Sequence, residues 1–354
     1  MWLLGKKKQS TSLGIDIGSK GIKIVELSKQ KDRIALQNYG GLKLSATKKE
    51  SFQYFDKRTL LPSTHNISLA IKAVLDETKI ETTEAVFSLP DFSTFFTSFS
   101  LPPMTVKELP DAVNFESKKH IPIPFNEVVL DWQLIGDNIN GKEGENKILV
   151  MAISKSLVAE YKKIAEECGL LLLSLEAEVM GLKRAIAGQD KETTCLIEVG
   201  CQSTAISIID QGFLCMSVSF DVGGKDCTYS ISEALGVDLC EAEKIKVNFG
   251  LDNKEKKMEA AMIPILNIIS EKVRHVISDF EVKNAKVKKI ILAGGSTNMP
   301  GFLNYFKTNF QGLDVKTGNA FERIFYPNEL KPLVPEISTT FSIALGEALK
   351  NFEE

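Results

Sequence analysis

The chain has 354 residues, 44% hydrophobic and 25% charged, and a formal net charge of −3. That balance fits a folded protein with room for two lobes, and it supplies no basic stripe for nucleic acid, which leaves small molecules and proteins as partners. Six cysteines, at 168, 195, 201, 215, 227 and 240, fall in no metal-ligand spacing, and the three histidines, at 65, 120 and 275, stand far apart. A histidine-held metal or a histidine-based triad is therefore unsupported, and the thiols read as reduced, buried groups of a cytosolic protein.

No apolar run approaches the ~20 residues of a membrane span. The first residues, Trp2-Leu3-Leu4 before Lys6-Lys7-Lys8, are too few for the apolar region of a signal peptide, about 7–15 residues. They read as a frayed tail or, in a second reading, as a membrane-surface contact.

The segment Gly14-Ile15-Asp16-Ile17-Gly18-Ser19-Lys20 runs into Ile22-Lys23-Ile24-Val25-Glu26-Leu27 and predicts a strand, a tight turn and a second strand. An acid at a strand end with a glycine two residues on lets the backbone approach phosphate and places a carboxylate to work through a cation. A further alternating segment, Ile34 to Tyr39, precedes the polar stretch Leu44–Arg58. Ile67, Ala70, Ile71, Val74 and Leu75 then predict a helix capped by Asn66. Ala85–Leu89 reads as a buried strand ended by Pro90.

Between about 91 and 150 the prolines multiply: Leu101-Pro102-Pro103, a helix over Val106–His120, Ile121-Pro122-Ile123-Pro124, a strand at Val128–Leu134, a polar turn at 136–145 and a strand at Ile148–Ile153. This block predicts an α+β insertion. Its aromatic stretch, Phe92, Phe95, Phe96 and Phe99, reads either as sheet core or as a peptide-docking surface. A helix over Ser156–Cys168, a strand over Leu170–Leu175 and a helix over Ala177–Ala187, closed by Gly188, follow.

The phosphate hairpin then recurs as Leu196-Ile197-Glu198-Val199-Gly200-Cys201-Gln202-Ser203-Thr204 before Ala205–Ile209. The strand Gly212–Phe220 leads to Gly223-Gly224 and a helix carrying Ile231 and Leu235. Glu241-Ala242-Glu243-Lys244-Ile245-Lys246 begins another, and Met262, Ile265, Leu266, Ile269, Val273, Val276, Ile277 and Phe280 line one face of a long helix. The strand Lys289–Ala293 meets Gly294-Gly295-Ser296-Thr297-Asn298-Met299 before a helix from Phe302, an order that places amides where a nucleotide sits. Ile337–Leu349 predicts an apolar helix in which Gly346 marks a close approach.

Five glycine segments in this order resemble those of the actin-like ATPase superfamily. Within it, Gly14–Ser19 with Ile22–Leu27, and Glu116–His120 with Ile121-Pro122-Ile123-Pro124-Phe125 and Glu127–Gln133, resemble the signatures of the PilM family of type IV pilus assembly. The likeness runs from about residue 12 to 350. It implies an α/β, two-lobed actin-like fold, a duplicated ribonuclease H-like unit with an inserted α+β subdomain called 1C. The expected division is a flexible tail at 1–11 and lobe 1 (subdomain 1A) at 12–90 and 151–190, joined by a C-terminal helix at 337–352. Subdomain 1C takes 91–150, subdomain 2A takes 191–222 and 285–336, and subdomain 2B takes 223–284.

The resemblance also implies ATP and Mg2+ as cofactors. Asp16 and Glu198 would act on the magnesium through water, Gly18, Ser19 and Lys20 would line the phosphates from lobe 1, and Gly200, Cys201 and Thr204 from lobe 2. Glu243 and Lys246 would flank adenosine and ribose, Gly294, Gly295, Ser296 and Met299 would wall the adenine, and Gly223 and Gly224 would lie near the phosphate tail. Glu176 stands either as a water-positioning carboxylate or as a solvated residue opening a helix. Two departures from the superfamily matter: Glu198 replaces the usual Asp, which favours binding over hydrolysis, and Cys201 replaces a smaller residue.

The implied function is a cytoplasmic ATP-binding adaptor at the inner face of the cytoplasmic membrane, at most a slow ATPase. It would dock the cytoplasmic segment of a PilN-like protein on 1C and through it a PilO-like partner, with self-association open. The rival readings are an FtsA-like cell-division tether, a sugar or acetate kinase, and the cytoplasmic part of a GspL-like secretion protein. No sugar-binding loop is evident against the kinase, and the acidic end Leu349–Glu354 speaks against the basic membrane helix of an FtsA-like tether.

Overall fold

The computed structural model describes residues 10–31, 33–43, 64–135, 145–188, 190–252, 256–282 and 284–353. The readings of the N-terminal tail, of Leu44–Arg58 and of most of the 136–145 turn lie outside these residues.

Strands β1 (Ser10–Gly18), β2 (Gly21–Gln30) and β3 (Arg33–Lys43) form an antiparallel meander, followed by helix α1 (Thr64–Thr78) and strand β4 (Glu84–Leu89). Helix α1 starts at Thr64, so Asn66 lies inside its first turn and is not the residue before it. Next come β5 (Thr94–Leu101), α2 (Leu109–His120), β6 (Val128–Leu134) and β7 (Asn146–Ser154). Helix α3 (Lys155–Glu167), β8 (Leu171–Ala177) and α4 (Glu178–Leu182) return to the first lobe, and α4 runs on as a π-helical turn over Lys183–Ala187.

The second half holds β9 (Thr194–Val199), β10 (Thr204–Asp210), β11 (Phe213–Phe220), α5 (Gly224–Leu235), α6 (Leu239–Phe249) and α7 (Lys256–Glu281). It continues with β12 (Lys289–Ala293), α8 (Phe302–Asn309), β13 (Asp314–Thr317), α9 (Val334–Thr340) and α10 (Ser342–Leu349). The single C-terminal helix expected from the sequence is broken at Phe341, whose φ of −102° and ψ of 7° leave the helical range.

Among the described residues the chain makes two sheets of the same design. One has the order β3-β2-β1-β4-β8 and the other β11-β10-β9-β12-β13. In each, three antiparallel strands meet two parallel ones along the first strand of the half. This repeated topology is the duplication that the paired hairpins predict. Asp16 on β1 and Glu198 on β9 take matching places in it, near the carboxyl ends of the two central strands.

Alternation along β1 assigns its faces. Leu13, Ile15 and Ile17 pack with Ile71 of α1 and Tyr161 and Ile164 of α3, all buried. The opposite face meets α10 at Gly14, where a Cβ would lie 1.9 Å from the Ala344 carbonyl oxygen. Gly346 does the same for α4: its Cβ would lie 1.9 Å from the Gly181 carbonyl. The helical cost of about 1 kcal/mol for a glycine is thus exchanged for a backbone approach that no side chain permits.

The second sheet buries Ile197, Val199, Ile206 and Leu292 against Leu266 and Ile269 of α7 and Phe302 and Phe306 of α8. Its other face, with Leu196, Ile209 and Ile291, meets Val179 and Leu182 of α4. Strands β5-β7-β6 form a separate antiparallel sheet over α2, with its own core of Leu101, Leu109, Val113, Val128, Ile148 and Val150. Phe95 and Phe99 pack against this core and Phe96 against the cluster between the lobes, each partly buried.

Candidate functional site

The two-residue turn at Ser19-Lys20 pairs Gly18 with Gly21 and therefore Asp16 with Lys23. Cross-strand partners share a sheet face, and Lys23 Nζ donates to Asp16 Oδ2 at 2.7 Å while Ser88 Oγ of β4 donates to Oδ1 at 3.1 Å. Burial works against the Lys23 charge, but Asp16 outweighs it and holds the ammonium above its ordinary value. The position matching Lys23 in the second hairpin is Ala205, opposite Glu198. One lysine thus faces the acids of both lobes.

Those acids outnumber it. Burial pushes the Glu198 carboxyl up to about 8 against the pull of Lys23. Glu178, the first residue of α4, rises well above the carboxylate range through burial and then through Asp16, Asp91 and Glu198. Among the described residues no three Asp, Glu, His or Cys side chains converge closely enough to cage an ion directly. The surplus of acceptors over one ammonium fits a divalent cation held through its water shell.

The lobe 2 turns interlock. Gly200 N donates to the Ser203 carbonyl at 2.9 Å, Gly224 N to Gly200 O at 3.0 Å and Lys225 N to Cys201 O at 2.8 Å. Ser296 Oγ donates to Gly200 O at 2.8 Å. A Cβ on Gly223 would stand 2.6 Å from Cys201 O, and one on Gly224 2.2 Å from Ser296 Oγ. Gly294, at φ 89°, touches the Glu198 carboxylate and the Val199 carbonyl so closely that a Cβ would lie 2.4 and 2.5 Å from them. Glycine at 223, 224 and 294 lets the three turns pack closely on one another, which brings the hairpin, the start of α5 and the 294–299 turn to one end of the second sheet, the kind of glycine-rich backbone that phosphate sites use.

The wall beyond is polar and paired. Buried Lys246 donates to Gly224 O and Thr228 Oγ1, both at 2.8 Å, and to Glu243 Oε2 at 2.6 Å. The other Glu243 oxygen pairs with Lys20 of the first hairpin, across the cleft. Burial opposes the Glu243 charge, yet Lys246 and Lys20 hold the carboxyl down at about 2. Gly223, Gly224, Lys246, Ser296 and Met299 border a cavity of about 10 Å³, room for about one water.

Three expected residues have other partners here. The Thr204 hydroxyl donates to Val222 O at 2.7 Å. Glu176 pairs with Arg184 at 2.8 Å and with Lys350, which hold its carboxyl below the usual range although burial pushes it up. Cys201 contributes a carbonyl that accepts from Lys225. The sequence reading passed over Lys23 and Glu178. Hairpin register alone places Lys23 opposite Asp16, whereas Glu178 carried no local signal because the chain direction after β8 decides which of two nearby glutamates faces Asp16.

The family model described as type IV pilus assembly protein PilM matches residues 14–352. The chain belongs to the PilM family. A solved PilM-PilN type IV pilus biogenesis complex is similar to it with a TM-score of 0.84 at 22% identity, over 97% of this chain and 99% of that one. MreB5 of Spiroplasma citri bound to AMPPNP is similar with a TM-score of 0.53 at 12% identity, over 97% and 96%. The cell division protein FtsA of Staphylococcus epidermidis is 28% identical over 102 residues, 28% of this chain and 22% of that protein. This chain thus spans about a fifth of that relative's length. As in other PilM-family members, the fold is the two-lobed actin-like ATPase fold, and type IV pilus assembly is the process to which the family belongs.

Proposed function

We propose that the chain is an ATP-binding adaptor of type IV pilus assembly whose 94–154 subdomain docks the cytoplasmic segment of a PilN-like membrane protein. The observation that carries it is the matched placement of the two hairpin acids, Asp16 paired with Lys23 and Glu198 within reach of the same charge, in a PilM-family chain. The solved PilM-PilN complex supports the partner, and nucleotide-bound MreB5 supports the ligand.

Lys23 and Lys20 meet phosphate charge from lobe 1, the Cys201 amide meets it from lobe 2, and the 294–299 turn with Glu243 and Lys246 encloses the nucleoside. Asp16 and Glu198 would hold magnesium through water, and the ion would supply neutralisation of phosphate charge. Turnover is slow at most, because Glu176 is committed to Arg184 and Lys350 and Glu198 reaches one methylene farther than an aspartate. The protein works at the cytoplasmic face of the membrane through its partner, and among the described residues no helix is long and apolar enough to cross a bilayer.

Co-purification with a synthetic peptide matching the cytoplasmic N-terminal segment of the PilN-like protein, with and without Mg-ATP, tests this reading. Peptide retained with a nucleotide-dependent yield supports it. No peptide in either state contradicts it.

A further inference from the structure

Asp91 is the residue with which the chain leaves β4 for the 94–154 subdomain, and it is only 4% exposed. Two hydrogen bonds tie it to the start of α4, in opposite directions. Asp91 N donates to Glu178 Oε2 at 3.1 Å, and Val179 N donates to Asp91 Oδ1 at 3.2 Å. The residue before α4 is Ala177, which has no side-chain cap to offer. Asp91 therefore caps this helix by accepting from an amide 88 positions away in sequence, doing across the fold what a capping box does locally.

The same short segment reaches the phosphate site at its other end. Ser88 bonds the Asp16 carboxylate, Pro90 fixes its own φ at −59°, and Thr94 Oγ1 donates to Pro90 O at 3.1 Å. Ser88 to Thr94 is thus a stiff link whose first residue holds Asp16 and whose last opens β5. Glu178, the acceptor of the Asp91 amide, also faces Asp16 and Glu198.

Beyond the link, Phe96 of β5 and Leu149 of β7 pack with Ile209 and Leu214 of lobe 2. Lys147 Nζ donates to Asn284 Oδ1 at 2.9 Å. The subdomain is covalently part of lobe 1 and packed on lobe 2, so a change at its root changes its seat against both.

We propose that the reciprocal Asp91–Glu178 clamp couples the phosphate site to the 94–154 subdomain, with Asp91 as the positioning residue. The proposal rests on the reading of the cleft as a nucleotide site. Glu178 holds the Asp91 amide through Oε2 while it feels the charge of Asp16, so a ligand at Asp16 that draws this carboxylate away would release the Asp91 amide.

Hydrogen–deuterium exchange on the full chain, with and without Mg-AMPPNP, reads this directly. In the wild type, exchange in β5 and β7 should shift by about fivefold on nucleotide binding, a typical coupling. Asp91→Ala should keep nucleotide affinity within about threefold while losing that shift, because coupling and affinity are separate free energies. Asp91→Asn, which keeps an acceptor for Val179 N, should retain it. Thr94→Val, isosteric and remote from the phosphates, should weaken the shift and serves if Asp91→Ala does not fold. An unchanged shift in Asp91→Ala or in Thr94→Val overturns the proposal, as does its loss in Asp91→Asn. If the wild type binds Mg-AMPPNP and β5 and β7 do not respond, the clamp alone falls, whereas a wild type that binds no nucleotide removes the underlying reading as well.

Discussion

Lys20 and Glu243 form an ion pair between the first phosphate hairpin and helix α6, so the mouth of the cleft is closed by a contact between its two lobes. The pair is half open to solvent on the lysine side, with 47% of the Lys20 side chain exposed against 22% for Glu243. An exposed pair of this kind contributes about 0–1 kcal/mol. The contact that joins the lobes here is therefore a weak one.

The Glu243 carboxyl sits at about 2 in the folded protein because Lys246 and Lys20 outweigh its burial. A depressed acid stabilises the fold above its unfolded value, near 4.5, and loses that contribution as pH falls toward 2. Glu243→Gln should therefore lower stability at pH 7 by on the order of 2 kcal/mol, since Lys246 keeps a buried charge without its partner. The gap to the wild type should narrow steadily between pH 4.5 and 2. Thermal unfolding across that range checks it; a gap constant with pH would mean the carboxylate charge is irrelevant.

Lys23→Ala should weaken Mg-ATP binding by about 30-fold or more, the loss of one charge-assisted contact of about 2 kcal/mol. It also leaves Asp16 without the cation 2.7 Å away. Equilibrium titration measures the affinity, and an unchanged value would remove Lys23 from the phosphate site.

Gly294→Ala should cost both nucleotide affinity and stability. The new Cβ meets the Glu198 carboxylate and the Val199 carbonyl at a φ of 89°, a conformation and crowding that together cost about 1–3 kcal/mol. A variant with wild-type melting temperature and affinity would contradict the packing described. Gly294→Val is expected to be harsher still, so loss of binding in it reports on the fold as well as on the site.

Gly346→Ala should destabilise the chain by about 1–3 kcal/mol or more, because overpacking here meets backbone. Its Cβ would run into the Gly181 carbonyl at 1.9 Å, and backbone on a buried helix cannot step aside. Denaturant unfolding gives the number.

Much of this was legible in residue order. The alternation of Ile15, Asp16 and Ile17 and of Ile197, Glu198 and Val199 gave both central strands, and the glycines at 18, 200, 223, 294 and 346 mark real close approaches or turns. The site's inner chemistry was less legible for a physical reason. Lys23 needs the hairpin register, Glu178 needs the direction the chain takes after β8, and Asp91 acts on residues 87 positions away. Glu176, expected after the strand at the opening of a helix, lies within β8 and is largely buried, and Thr204 opens β10; long-range partners, Arg184 and Lys350 for one and the Val222 carbonyl for the other, occupy their polar atoms. The break at Phe341 was hidden because Ile337, Phe341, Ala344 and Leu345 keep helical spacing across it, with no proline or glycine between Ser338 and Leu345.

The central claim is that both hairpins grip a single nucleotide. Calorimetric titration of Mg-AMPPNP into the full chain, wild type and Asp16→Ala side by side, tests it most directly. One nucleotide bound per wild-type chain, with binding lost in an Asp16→Ala variant that still unfolds cooperatively, at a lower melting temperature because the partly buried Lys23 loses its partner, is the expected result. No binding to the wild type, or equal affinity in both proteins, would contradict it.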